Sequence, residues 1–193
     1  MAWKLYEVRG VILGWIVANF LGVAAVGALS LVPFLRSIHG LLVGSLLIGL
    51  PIGFTQWIAL RRIAPISILW VLTISAGLLL GLVVSPLLAG ILGFQSDESV
   101  RSLTAAYTTI GLLVGLAQWL FLRGHFAKAL VWLLSSAVGL GLGMGLVLAS
   151  GLIDHGLVSG ILATLVYSIA TGLAISWMQV SDTKIKGNLV NAT

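Results

Sequence analysis

The chain has 193 residues, of which 60% are hydrophobic and 8% charged, with a formal net charge of +5. A soluble domain carries about 25% charged residues, so this composition excludes a water-soluble enzyme, a disordered chain and a nucleic-acid binder of the usual kind. It points to a multi-pass membrane protein.

Charged residues and histidines divide the chain into six apolar segments. A spanning helix needs about 20 apolar residues, and each segment is long enough for one. The first lies between Arg9 and Arg36 and predicts a helix over 10–30. Its apolar run exceeds the roughly 7–15 residues of a signal-peptide core, so it belongs to the fold. The second, between His39 and Arg61, predicts a helix over 40–60, with Pro51 inside it. The third, between Arg62 and Asp97, predicts a helix over 67–88 followed by a loop. The fourth, between Arg101 and Arg123, predicts 104–122. The fifth, between Lys128 and Asp154, predicts 129–150, and the sixth, between His155 and Asp182, predicts 157–179. These runs are apolar on every face, so they read as helices and not as the alternating strands of a barrel. The expected fold class is all-α integral membrane, one domain over 1–193.

Six spans put both termini on one side. Lys4, Arg9, Arg61, Arg62, Arg123, Lys128, Lys184 and Lys186 fall on that side, against Arg36 and Arg101 on the other. The positive-inside rule makes the first side cytoplasmic. The chain has no cysteine, which excludes disulfides, thiolate metal sites and cysteine nucleophiles.

Residues 49–84 align without gaps on 111–146. Gly49, Gly53, Gln56, Trp57, Leu60 and Arg61 match Gly111, Gly115, Gln118, Trp119, Leu122 and Arg123. Trp70, Gly77 and Gly81 match Trp132, Gly139 and Gly143. Trp15 and Gly22 keep the same Trp-to-Gly spacing, and Gly172 and Trp177 form a degenerate last copy without the Gln. The chain therefore reads as three helical hairpins, 1–62, 63–124 and 125–193, in a pseudo-threefold bundle. The motif Gly-x-x-x-Gly-x-x-Gln-Trp-x-x-Leu-Arg resembles that of a group of bacterial, notably cyanobacterial, multi-pass membrane proteins with tandem hairpins of this kind. The resemblance implies a multi-pass protein of bacterial origin, hence of a bacterial inner membrane or a thylakoid membrane. It implies no activity and transfers no functional residue.

Glycines at four-residue spacing let helix backbones approach closely, which replaces the missing hydrophobic force between helices in lipid. Such pairs include Gly49/Gly53, Gly77/Gly81, Gly111/Gly115 and Gly139/Gly143, and also Gly10/Gly14, Gly40/Gly44, Gly141/Gly145 and Gly156/Gly160. Trp15, Trp70 and Trp132 open helices, while Trp57, Trp119 and Trp177 close them, so all six are expected near the cytoplasmic interface as anchors. Trp57 and Arg61 are four apart, as are Trp119 and Arg123, so a guanidinium can lie over each indole. Those arginines are expected to meet lipid phosphate.

Gln56, Gln118 and Asn19 are the most informative polar positions inside the spans; the others are small or amphipathic, such as Thr73, Ser136, Tyr167, Ser168 and Thr171, and most can bond back to their own helix. An unpaired amide in hydrocarbon is costly, so each is expected to bond across helices. The sharper alternatives are a ligand for a cargo or for a pigment metal. No ionisable residue falls deep in a span, which disfavours a proton-coupled transporter, and there is no nucleophile–base pair for catalysis. No catalytic, metal or cofactor site is expected, and no nucleic acid. The leading expectation is a non-catalytic scaffold or accessory subunit, in contact with the bilayer and with other membrane proteins through the outer connection 89–103. The alternatives are a facilitator for a small neutral or lipidic molecule, and a pigment-binding protein.

Overall fold

A computed structural model describes residues 2–30, 41–91, 93 and 100–190. Among the described residues six α-helices follow one another: α1 (Ala2–Ser30), α2 (Leu41–Leu60), α3 (Val71–Ile91), α4 (Val100–Leu122), α5 (Leu130–Ala149) and α6 (Gly156–Val190). Short 3-10 turns at Ile68–Trp70 and Leu152–Asp154 precede α3 and α6. No strand occurs among the described residues. All six helices are long and apolar enough to cross a membrane. Arg36, His39, Asp97 and Glu98 lie outside the described residues, as do 92 and 94–99 of the outer connection.

The membrane-length stretches are Arg9–Leu29, Val43–Leu60, Ile68–Ile91, Val100–Leu122, Leu130–Ala149 and Leu157–Gln179. At both ends of the chain the helix outlasts the apolar run: α1 starts at Ala2 and not at 10, and α6 continues to Val190. Polar and charged residues there carry no helix breaker before Gly187, so leaving the apolar stretch does not end the helix.

The turns are tied by local bonds. Ser67 Oγ accepts from the Leu69 N–H at 3.3 Å and caps the turn into α3. After α5 the chain reverses at Gly151, whose φ of +70° a side-chain-bearing residue rarely adopts.

Each helix packs against the next, and α6 returns to α1, which closes the six into a ring in chain order. Every seam carries a glycine. A Cβ at Gly22 would stand 2.6 Å from the Ile52 Cα, so α1 and α2 touch backbone to backbone there. Gly49 and Gly53 meet Ser75 and Val71 of α3, and Gly77 and Gly81 meet Val114 and Ile110 of α4. Gly111 and Gly115 face Ser136 of α5, Gly139 and Gly143 face Tyr167 and Ala163 of α6, and Gly172 rests on Trp15 of α1. These contacts supply the dispersion energy that holds helices together in lipid. Gly10, Gly14, Gly44 and Gly160 meet no described atom within 4 Å, so spacing by four alone did not separate packing glycines from lipid-facing ones.

The main apolar cluster joins Trp15, Leu60, Ile66, Trp70, Leu122, Phe126, Trp132, Ile175 and Met178. It lies at the end where α2 and α4 finish and α3 and α5 begin. A smaller cluster of Ile74, Ile110 and Val114 fills the seam between α3 and α4. Outside, Leu13, Leu21, Leu87, Leu134, Leu142 and Leu173 are more than half exposed, as a lipid-facing surface requires.

Candidate functional site

A chain of hydrogen bonds runs through the bundle. The Trp132 indole N–H donates to Gln118 Oε1 at 3.0 Å. Gln118 Nε2 donates to Gln56 Oε1 at 2.9 Å, and Gln56 Nε2 donates to Asn19 Oδ1 at 2.9 Å. Asn19 Nδ2 closes on its own helix, donating to the Trp15 carbonyl at 2.9 Å. The chain thus steps from α5 to α4, α2 and α1. An indole nitrogen can only donate, so Trp132 fixes the Gln118 oxygen toward itself, and that choice orients each amide downstream.

A second, shorter run joins α1 to α6. Trp15 Nε1 donates to Thr171 Oγ1 at 2.8 Å, and the Thr171 hydroxyl donates to the Tyr167 carbonyl at 2.7 Å. Gln56, Gln118, Trp132 and Thr171 are fully buried, and Asn19 and Trp15 are 1% exposed. Both amide oxygens of the glutamine pair are therefore occupied by N–H groups from neighbouring helices.

Trp15, Trp70 and Trp132 do not sit at the surface as the sequence reading expected. Trp15 and Trp132 meet edge to face with centroids 5.4 Å apart, and Trp70 and Trp132 meet at 6.0 Å. Such edge contacts are worth about 0.5–1.5 kcal/mol beyond area burial. The indoles stand near the starts of the apolar stretches but point inward, where two of the three N–H groups find side-chain acceptors. The third, Trp70 Nε1, is buried without a partner. Five hydroxyls, Ser75 Oγ, Thr104 Oγ1, Ser136 Oγ, Tyr167 Oη and Ser168 Oγ, are buried without one as well. The Tyr167 hydroxyl is close to the Ser136 and Gln56 side chains.

The closing tryptophans are different. Trp57 and Trp119 are half-buried. The Arg61 guanidinium lies 4.8 Å above the Trp57 ring, and that of Arg123 lies 5.3 Å above Trp119. Each pair is worth about 0.5–1 kcal/mol at an exposed site. The Trp57 N–H is anchored to the Ile66 carbonyl at 3.1 Å, which sets the ring plane. A third pair was not foreseen: Lys128 Nζ lies 4.4 Å from the Trp177 ring centre. The two residues are far apart in sequence, and the packing of α5 against α6 brings the start of one beside the end of the other.

The sequence singled out Gln56, Gln118 and Asn19, and the structure brings all three into one network. It missed Trp132, Trp15 and Thr171 as members. One signal was available: Trp132 follows Gln118 by fourteen residues, and Trp70 follows Gln56 by the same step. No protein-family profile, no curated protein and no solved structure matches this chain.

Proposed function

We propose that this chain is a non-catalytic multi-pass membrane protein that serves as a scaffold or accessory subunit of a larger membrane complex. The observation that supports this most is the buried amide chain. Gln56, Gln118 and Asn19 satisfy one another across helices instead of presenting free groups to a substrate. The described basic side chains, Arg9, Arg61, Arg62, Arg101, Arg123 and Lys128, are all exposed, near helix ends. Neutral amides and indoles offer no general acid–base pair.

In this reading the chain is three hairpins, 1–62, 63–124 and 125–193, arranged pseudo-threefold, with both termini cytoplasmic in a bacterial inner membrane or thylakoid membrane. The buried Trp15, Trp70 and Trp132 support the repeat, since equivalent positions then meet near one axis. The resemblance to tandem-hairpin bacterial proteins belongs to the same proposal. Its bilayer-facing leucines and its partners share the outer surface. Affinity purification from native membranes in mild detergent, followed by mass spectrometry, tests it. A stoichiometric protein partner is the expected outcome. A free monomer with no co-purifying protein overturns the proposal.

A second reading has its own support. Ser136, Tyr167 and Ser168 carry buried hydroxyls without partners, as a path for a small neutral molecule would. In that reading the protein is a facilitator. Stopped-flow uptake of glycerol and urea by proteoliposomes separates the two: permeation above protein-free vesicles favours a facilitator, and none favours the scaffold.

A further inference from the structure

The three cation–indole pairs lie on one rim of the ring. Trp57 and Trp119 stand at the ends of α2 and α4, and Trp177 stands in α6 just before its apolar stretch ends. In the first two pairs the cation follows the tryptophan by four residues, just past the end of the same helix. At the third corner the residue four after Trp177 is Ser181, so that route is closed. There the cation comes from Lys128, in the turn before α5. A cation therefore covers the indole at all three corners by two unrelated routes, which inheritance of one motif does not account for.

Stacking leaves a guanidinium with its flat face on the ring and its edge N–H donors turned outward. Arg61, Arg123 and Lys128 are exposed, so those donors are open. The Trp57 ring cannot swing away, because its N–H is held by Ile66. Beside the pairs the surface is apolar: Phe54 is 48% exposed, Leu120 50%, Leu130 59% and Leu173 56%. A fixed cation edge next to acyl-compatible surface matches a phosphodiester carried on a lipid.

We propose that each of these three corners is a headgroup site for an anionic phospholipid. The guanidinium sites at Arg61 and Arg123 take the phosphate by two parallel bonds, and the Lys128 site takes it by a point charge and is the weakest. This inference is independent of whether the protein is a scaffold or a facilitator.

The test uses the purified full chain, reconstituted in bilayer discs of equal phosphatidylglycerol and phosphatidylcholine, released and weighed with its bound lipids by native mass spectrometry. Up to three retained phosphatidylglycerols are expected, with phosphatidylcholine excluded. Arg61→Gln and Arg123→Gln each lose one. Trp57→Leu loses the same one as Arg61→Gln, although no charge changes. Arg62→Gln, which removes an exposed but unstacked neighbour, loses none. Equal retention of the two lipids overturns the proposal. So does a loss in Arg62→Gln equal to that in Arg61→Gln, which marks diffuse charge attraction. Displacement of the lipid by inorganic phosphate at matched phosphate concentration also overturns it, since the site then recognises a soluble anion.

Discussion

Replacing Gln118 by Leu removes one side chain and strands two others. The Trp132 N–H loses its acceptor and the Gln56 oxygen loses its donor. Both sit in fully buried residues, so neither recovers a bond to water. Interhelical side-chain bonds in membranes average about 0.6 kcal/mol and reach about 1.7. Two such bonds give a loss of about 1–3 kcal/mol, with little added for volume because Leu nearly matches Gln. The companion Gln56→Leu breaks the bond to Gln118 and the bond to Asn19. The Gln56–Gln118 bond is therefore counted in both single variants. In the double variant the two losses fall short of their sum by roughly that bond, about 0.6–1.7 kcal/mol. The assay is reversible unfolding in mixed SDS micelles, followed by tryptophan fluorescence. If Gln118→Leu stays within about 0.3 kcal/mol of the parent, or if the two losses simply add, the amide chain is not a coupled element.

The two core tryptophans should respond unequally: both lose ring volume on replacement by Phe, but Trp132→Phe also strands the Gln118 oxygen whereas Trp70→Phe deletes an orphaned donor, so Trp132→Phe should cost about 1 kcal/mol more. Equal losses in the same unfolding assay would show that ring packing alone matters. Gly77→Ala drives a methyl into the Val114 backbone and should destabilise by about 1–3 kcal/mol, while Gly14→Ala meets nothing within 4 Å and should lose nothing. A melt in which both variants match the parent refutes the glycine seams. The chain has no cysteine, so single-cysteine variants report topology without background. With cytoplasmic termini, Ser150→Cys should react with an impermeant maleimide in intact cells and Gly124→Cys only after lysis; the reverse pattern overturns the proposed orientation.

The spans were legible because membrane length and hydropathy are set by the solvent, not by packing detail. Arg9, Arg61, Arg62, Arg123 and Lys128 bracket the apolar runs directly in the sequence. The amides were legible for the same reason: a polar group surrounded by apolar neighbours must find a partner. The inward turn of Trp15, Trp70 and Trp132 was not. In a soluble helix an apolar stripe marks the buried face, but here every face is apolar and no stripe exists. An indole one turn inside the edge then fits lipid headgroups and bundle interior equally well. Glycine spacing suffered from the same loss of contrast. Gly10 and Gly14 repeat by four as faithfully as Gly77 and Gly81, yet only the second pair meets a neighbouring backbone.

The orphaned Trp70 follows from the direction of the bonds. Within the proposed repeat, each opening tryptophan has a potential acceptor on the preceding helix: Gln118 for Trp132, Gln56 for Trp70, and Thr171 for Trp15. An amide, however, has a donor end and an acceptor end. Once Gln118 turns its oxygen to Trp132, its nitrogen must face Gln56, and Gln56 then presents its oxygen to Gln118. That orientation carries the Gln56 nitrogen to Asn19 and leaves Trp70 without a side-chain acceptor. Asn19 sends its own N–H back to the Trp15 carbonyl and ends the run. A third glutamine could have passed the chain on to α6, but the last copy lacks it, and Thr171 takes the Trp15 proton instead. One unsatisfied indole is thus what results when a polarised chain of amides is laid over an incomplete repeat. Thr171→Gln should offer a fourth amide to the core, and if Trp70 is orphaned by polarity alone, its indole proton resonance should not move in that variant while that of Trp15 does.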